Sequence, residues 1–380
     1  MKKFLVIFCA SVALCYCIII ALDKKFVFTV FRYNLPDLDD YRIFANRKVP
    51  HSRNPQPWPK KFLYNQLSLP DSTQIEMEKL NTTACIIIHK DSLLFEKYWD
   101  NKSLGSYSNS FSMAKSYVSA LIGVALKEGK IKSLEEPVAI YLDEFKEGKK
   151  GAITLRHLLC MSSGLDWEEA YFNPFSTVSE AYYGNNLKKI IYKLKPIEKP
   201  GQRFQYKGGD TQILALVLEK VYGHSLSKIL YDKIWGPLGA EQPALWSLDR
   251  KKGTEKASCC LNSNAKDFAR LASLYLHKGN WRGAQLIDSS FIENSTQPID
   301  LADGSNQLVD FYGYQWWLIP SYNKGAIFYA RGILGQYIIV DPTFNLVIVR
   351  LGNKRGEKIG SHQKEVYSLI EAARGMTMDL

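Results

Sequence analysis

The chain carries its strand-forming runs at its two ends and its helical runs between them. "ACIIIHKDSLLFEKYW" (84–99) is a pair of β-branched, apolar runs around Lys90-Asp91-Ser92, the pattern of a hairpin. Far downstream, "YGYQWWLIP", "AIFYARGI", "QYIIVDP" and "NLVIVRLGN" add four strand-like runs with turn residues between them. "DSTQIEMEKL", from Asp71, reads as a short capped helix, and "SHQKEVYSLIEAARGM" has helical spacing. The middle, about 128–287, is dominated by helical patterns such as "DTQILALVLEKVYG" and "NAKDFARLASLYLHKGN". This order predicts an α+β fold: an antiparallel sheet from both chain ends, flanked by helices, with an inserted, mostly helical subdomain. A cleft is expected between sheet and insert.

A chain of 380 residues, 46% hydrophobic and 23% charged, is long enough for one large domain or two interleaved ones. The net charge is +11, but the lysines are scattered. The densest group, Lys188 to Lys199, lies opposite Leu187, Ile190, Ile191 and Leu194 at helical spacing and reads as a solvated face. Attraction to an anionic membrane or polymer is the alternative. No nucleic-acid motif is present. The six histidines have no metal-ligand spacing with one another or with cysteine, which argues against a metal site. Of seven cysteines, Cys9, Cys15 and Cys17 lie in the N-terminal apolar run, and Cys85 and Cys160 read as core residues. Cys259 and Cys260 are adjacent, so a bridge between them is expected to be strained, and no disulfide framework is indicated.

"FLVIFCASVALCYCIIIAL" (4–22) follows Met-Lys-Lys and contains no charge. A spanning helix needs roughly 20 apolar residues, more than the usual apolar core of a signal peptide. Residues 1–25 therefore read as a signal anchor, with a cleaved signal peptide as the alternative. The rest of the chain is then exported, on the periplasmic or extracellular side of a membrane. Residues 26–59 are irregular and proline-bearing and read as a tether and N-terminal extension, ahead of a domain over 60–375.

Ser-x-x-Lys occurs five times: Ser112/Lys115, Ser225/Lys228, Ser263/Lys266, Ser321/Lys324 and Ser361/Lys364. Only Ser112 opens a long apolar-periodic helix (Val118, Leu121, Ile122, Ala125, Leu126) after a sheet hairpin. At i and i+3 its side chain and that of Lys115 share a helix face. The helix start supplies free N–H groups and roughly half a unit of positive charge. A serine hydroxyl needs a base, and a partly buried lysine can act as one. Read without context, the same residues are a capping serine beside a solvated lysine.

With "FSMAKS", four further stretches occur in one order: "ITLRHLLCMSSGLDWEEAY", "KPGQRFQYKGGDTQILALVLEKVYG", "SLSKILYDKIWGPLGA" and "FYARGILGQYIIVDP". Together they resemble the serine hydrolases of the class C β-lactamase and penicillin-binding fold, nearest to the esterase and 6-aminohexanoate-dimer hydrolase branch. The resemblance covers about 60–375. It implies that Ser112 is acylated, that Lys115 and Tyr206 share general base and acid work, and that the N–H groups of Ser112 and Ile333 form the oxyanion hole. It also implies that Gly332 lets substrate approach the edge strand and that Tyr171 contacts a substrate amide. No metal or organic cofactor is implied.

Two departures qualify this. The family's Tyr-x-Asn or Tyr-x-Ser is here Tyr206-Lys207-Gly208, and its Lys-Thr-Gly edge-strand motif is Ala330-Arg331-Gly332. Arg331 is the candidate replacement for the missing lysine charge, although neighbouring strand positions face opposite ways. The expected activity is hydrolysis of a small ester or amide. A DD-carboxypeptidase or class C-like β-lactamase is the alternative enzyme, and a non-catalytic binding or sensor domain on the same fold is the alternative of a different class. The expected partners are that substrate and, through the N-terminal helix, a membrane.

Overall fold

A computed structural model describes residues 1–323 and 325–378. Lys324, and with it the Ser321/Lys324 pair, lies outside the described residues. The apolar run forms helix α1 (Lys2–Ala21), long and apolar enough to cross a membrane, with none of its described side chains buried. Helix α2 (Phe26–Tyr33) and strand β1 (Asn46–Val49) follow. Then come α3 (Asp71–Lys79), β2 (Thr82–His89), β3 (Ser92–Tyr98), β4 (Ser108–Asn109) and α4 (Ala114–Lys127). The insert contributes α5 (Leu155–Leu159), α6 (Thr177–Tyr183), α7 (Leu187–Lys193), α8 (Gly208–Tyr222) and α9 (Leu226–Leu230). Strands β5 (Ala244–Ser247) and β6 (Leu261–Ser263) lead to α10 (Ala265–Leu276), and a two-residue hairpin, β7 (Asn280–Trp281) and β8 (Ala284–Gln285), precedes α11 (Ser289–Ser295). The chain ends with β9 (Trp317–Ile319), β10 (Ile327–Gly332), β11 (Gln336–Asp341), β12 (Leu346–Gly352), a second short hairpin β13 (Lys358–Ile359) and β14 (His362–Gln363), and α12 (Lys364–Gly375).

Six strands form one antiparallel sheet in the order β3-β2-β12-β11-β10-β9. The N-terminal hairpin joins the C-terminal strands through β2 and β12, with Ile87 opposite Ile348 and Ile86 opposite Val349. Every residue of both strands is buried, as a sheet covered on both faces requires. Helices α12 and α3 pack together, with α12 also against β11 and β12, while α10 packs against β11, β12 and β2. The helix after Ser112 is buried from Ala114 to Ala125, so α4 is a core helix rather than a surface one.

Two expectations are corrected. Residues 26–59 are not a tether: β1 pairs with β5 at the edge of a second sheet, β1-β5-β6-β4, and α2 packs on α6. The insert over 128–287 is mostly helical, as expected, and also contributes β5 and β6 to that sheet. Helix α3 starts with no side-chain cap; Pro70 holds the N-cap position, and Asp71 lies in the first turn, where its charge meets the positive helix end.

The end of β11 is tied to α12 by a buried ion pair, Arg374 Nε to Asp341 Oδ2 at 2.7 Å. Arg374 also donates to Asn323 O at 2.7 Å, and its guanidinium lies 4.5 Å from the Phe344 ring. Removing one partner strands a buried charge. Arg374→Leu is therefore expected to cost about 3–5 kcal/mol in urea unfolding. The double variant Asp341→Leu/Arg374→Leu should recover a large part of that loss.

Candidate active site

Ser112 sits in a single 3-10 turn, Phe111–Met113, that leads directly into α4. The turn is strained: Phe111 has φ +43°, a conformation that bulky residues avoid. It is held from both sides. Asn109 Oδ1 accepts from the Phe111 N–H at 2.9 Å, and the Ser110 N–H donates to Leu261 O at 2.9 Å. Strand β10 closes on the turn at Gly332, where an added Cβ would lie 2.4 Å from Ser110 O. Gly332 is expected to admit substrate; its missing side chain also lets the edge strand meet the serine turn.

Lys115 is 3% exposed. Its Nζ donates to Ser112 Oγ at 3.0 Å and to Ser258 O at 2.7 Å. Among the described Ser-x-x-Lys pairs, only this one has its two side chains bonded to each other. Lys228 pairs with Asp232 and Lys266 with Glu96, while Ser361 and Lys364 make no such bond. The acceptor Ser258 O is itself positioned: Gln212 takes the Ala257 N–H at 2.9 Å and donates to Glu255 O at 3.0 Å. Trp246 Nε1 bonds Lys256 O and Cys259 O, both at 3.1 Å.

Tyr206 is brought to the same place. Lys115 Nζ lies 5.1 Å from its ring centroid, and the ring packs on Tyr312 and Trp317. Tyr171 and Ile333 line the cleft that contains Ser112 and Lys115. Burial, reinforced by the charge of Glu169, pushes the Tyr171 phenol well up, so it stays a hydrogen-bond donor. Arg331 goes elsewhere. Its guanidinium stacks 3.1 Å from the Trp317 ring centroid and donates to Ser361 O at 2.9 Å and Gln363 Oε1 at 3.3 Å. It is not among the cleft-lining residues, and the Trp317 ring on which it stacks packs against Tyr206.

Several residues here were not singled out from the sequence. Glu169 accepts from Trp167 Nε1 at 2.9 Å and from the Gly208 N–H, joining the Tyr171 loop to the start of α8 beside Tyr206. The acidic run "DWEE" was the available signal. Cys259 and Cys260 are joined as a disulfide on the cleft wall, against expectation. Cys260 has φ +70°, which turns the chain so that the two side chains meet instead of alternating. Lys256 also lines the cleft; its only side-chain hydrogen bond among the described residues is to Ala181 O at 3.2 Å, and it lies 4.7 Å from the Phe44 ring. Among the described residues no group of His, Cys, Asp and Glu has the arrangement to hold a metal.

A family model described as Beta-lactamase matches residues 76–370. The chain belongs to the Beta-lactamase family. It is 25% identical over 307 residues to the 6-aminohexanoate-dimer hydrolase of Paenarthrobacter ureafaciens, covering 75% of this chain and 76% of that one. It is 25% identical over 255 residues to the teichoic acid D-alanine hydrolase of Staphylococcus aureus, 64% of this chain and 61% of that protein. A solved Bacillus anthracis structure described as a candidate 6-aminohexanoate-dimer hydrolase superposes with a TM-score of 0.75 at 24% identity, covering 90% and 92% of the two chains. The chain is thus a hydrolase of the β-lactamase/transpeptidase fold, related to enzymes that cleave amides and esters.

Two predictions follow from this geometry. Gly332→Ala should push the Ser110–Ser112 turn out of place and slow fluorophosphonate labelling of Ser112 roughly 10- to 100-fold, with the circular dichroism spectrum retained. The second concerns Lys256, whose ammonium burial holds down to about 7 from 10.5. Between those values the unfolded chain binds the extra proton, so stability rises with pH across the window, and the penalty is felt in full below pH 7. Lys256→Met should melt at a higher temperature than the parent at pH 7, and the gap should narrow steadily toward pH 10.

Proposed function

We propose that the protein is a serine hydrolase of carboxylic esters or linear amides that works through an acyl-enzyme on Ser112. The observation that carries this is Lys115 Nζ, buried and 3.0 Å from Ser112 Oγ, with the Tyr206 ring beside it. Ser112 Oγ attacks the substrate carbonyl as its proton passes to Lys115 or Tyr206. The N–H groups of Ser112 and Ile333 stabilise the oxyanion. The same acid returns the proton to the departing alcohol or amine. Water then attacks the acyl-Ser112 ester, and the acid product leaves. The protonated Tyr171 phenol is suited to donate to the substrate carbonyl or leaving group. Two relatives support the substrate class, since their names specify a 6-aminohexanoate dimer and the D-alanine of teichoic acid. We also read α1 as a membrane anchor, with the hydrolase domain on the outer side.

The β-lactamase or carboxypeptidase reading is disfavoured by Arg331. Its guanidinium is committed to Ser361 O, Gln363 and Trp317, so β10 offers the cleft no cation for a substrate carboxylate.

The test is intact-mass spectrometry of the full chain after fluorophosphonate treatment, followed by turnover of p-nitrophenyl esters, linear amides and a chromogenic β-lactam. One adduct is expected, on Ser112, and none on Ser112→Ala. Ser112→Ala and Lys115→Ala should each remove most turnover, and the double variant should lose no more than the worse single one. Additive losses would show that the two do not act as one unit. A well-folded chain that takes no adduct would be a binding domain on this fold.

A further inference from the structure

The segment read from sequence as a tether is a wall of the catalytic cleft. Val30, Asn34 and Pro36, at the end of α2 and just beyond it, line the same cleft as Ser112. Phe26 and Val27 are buried in one apolar cluster with Phe111, Tyr182, Tyr183 and Cys260. The join between α1 and α2 has no slack. Helix α1 ends at Ala21, and within four residues Asp23 pairs with Lys189 of α7 and Lys24 with Glu180 of α6. Helix α2 is eight residues, about 12 Å long. A bilayer that holds α1 therefore meets the domain beside this cleft.

The cleft rim has the surface that such a position calls for. Phe31, Leu35 and Phe172 each adjoin a cleft-lining residue in the chain and are exposed, Phe172 at 86%. Phe175, in the same loop as Phe172, is also exposed. At the end of α1, Lys25, Lys189 and Lys193 surround a hollow that also contains Leu22. Asp23 and Glu180 partly offset that charge. Apolar and aromatic side chains beside exposed lysines suit the interface of an anionic bilayer. Among the described residues outside α1, α2 and this loop, Phe62 is the one exposed large aromatic.

We propose that the cleft opens onto an anionic phospholipid bilayer and that the substrate is an ester or amide borne by a membrane amphiphile. Its apolar part enters between α2 and the Tyr171–Phe175 loop. This rests on Ser112 as nucleophile and on α1 as anchor, and the experiment separates the three.

Full-length protein is reconstituted in phosphatidylcholine vesicles containing phosphatidylglycerol, with Phe31, Phe172 or Phe62 replaced by p-benzoylphenylalanine. After irradiation, lipid adducts are expected on the chains altered at Phe31 and Phe172 and not on the one altered at Phe62. In parallel, Phe31→Ser and Phe172→Ser should lower kcat/KM at least fivefold for a long-chain ester in the vesicles and less than twofold for a soluble short-chain ester. Vesicle flotation and Ser112 labelling with no adducts at Phe31 or Phe172 would overturn the proposal, as would equal losses on both esters. Loss of flotation would overturn the anchor and the proposal with it. Adducts without Ser112 labelling would overturn the catalytic reading and the amphiphile substrate, while the bilayer contact would stand.

Discussion

The pairing of β2 with β12 is the constraint on which the rest of the structure depends. It joins segments from opposite ends of the chain, all of them buried. The intervening residues must leave the sheet after β3 and return at β9 on the far edge of the same sheet. Helix α4, the first long element of that excursion, is consequently buried on all sides. Its N-terminal turn falls where β10 passes, and Gly332 is where the two backbones touch. The nucleophile is therefore placed by sheet closure rather than by its own loop.

That placement creates the electrostatic problem that the site resolves. Lys115 follows Ser112 by three residues, so wherever the serine turn is buried the lysine is buried too. A lysine amine removed from water needs hydrogen-bond partners. It finds one in Ser112 Oγ and one in Ser258 O, the latter held by Gln212 and Trp246 from other parts of the insert. The hydrogen bond that stabilises the lysine is the one that aims it at the serine. Folding and activation of the nucleophile are one arrangement, which the Ser225/Lys228 and Ser263/Lys266 pairs, with their lysines paired to carboxylates, lack.

This division explains what could be read from the sequence. The six-stranded sheet was visible because buried strands are β-branched and apolar in short runs between turn residues, from "ACIIIH" to "NLVIVRLG". Ser112 and Lys115 were visible because their relation is local, one helical turn. Tyr206 and Tyr171 were visible only through the order of stretches shared with a family. Glu169, Gln212 and Lys256 were not, since each acts through partners distant in the chain, and nothing local distinguishes them from surface residues. Arg331 was misplaced for a related reason. An edge strand fixes which face a residue takes, but the direction of a long side chain depends on what lies beyond the edge, here Trp317 and the Ser361–Gln363 segment.

The N-terminal segment is the sharpest case. Its prolines and mixed polarity are those of a linker, and α2 alone is too short to be stable in water. It holds its shape because Phe26 and Val27 enter an apolar cluster supplied by α6, Phe111 and Cys260. A helix that exists only by packing on the cleft cannot also be a flexible spacer. Once that packing is granted, the distance between the apolar helix α1 and Ser112 is no longer a free variable, and the surface that meets the substrate and the surface that meets the membrane become parts of one rim.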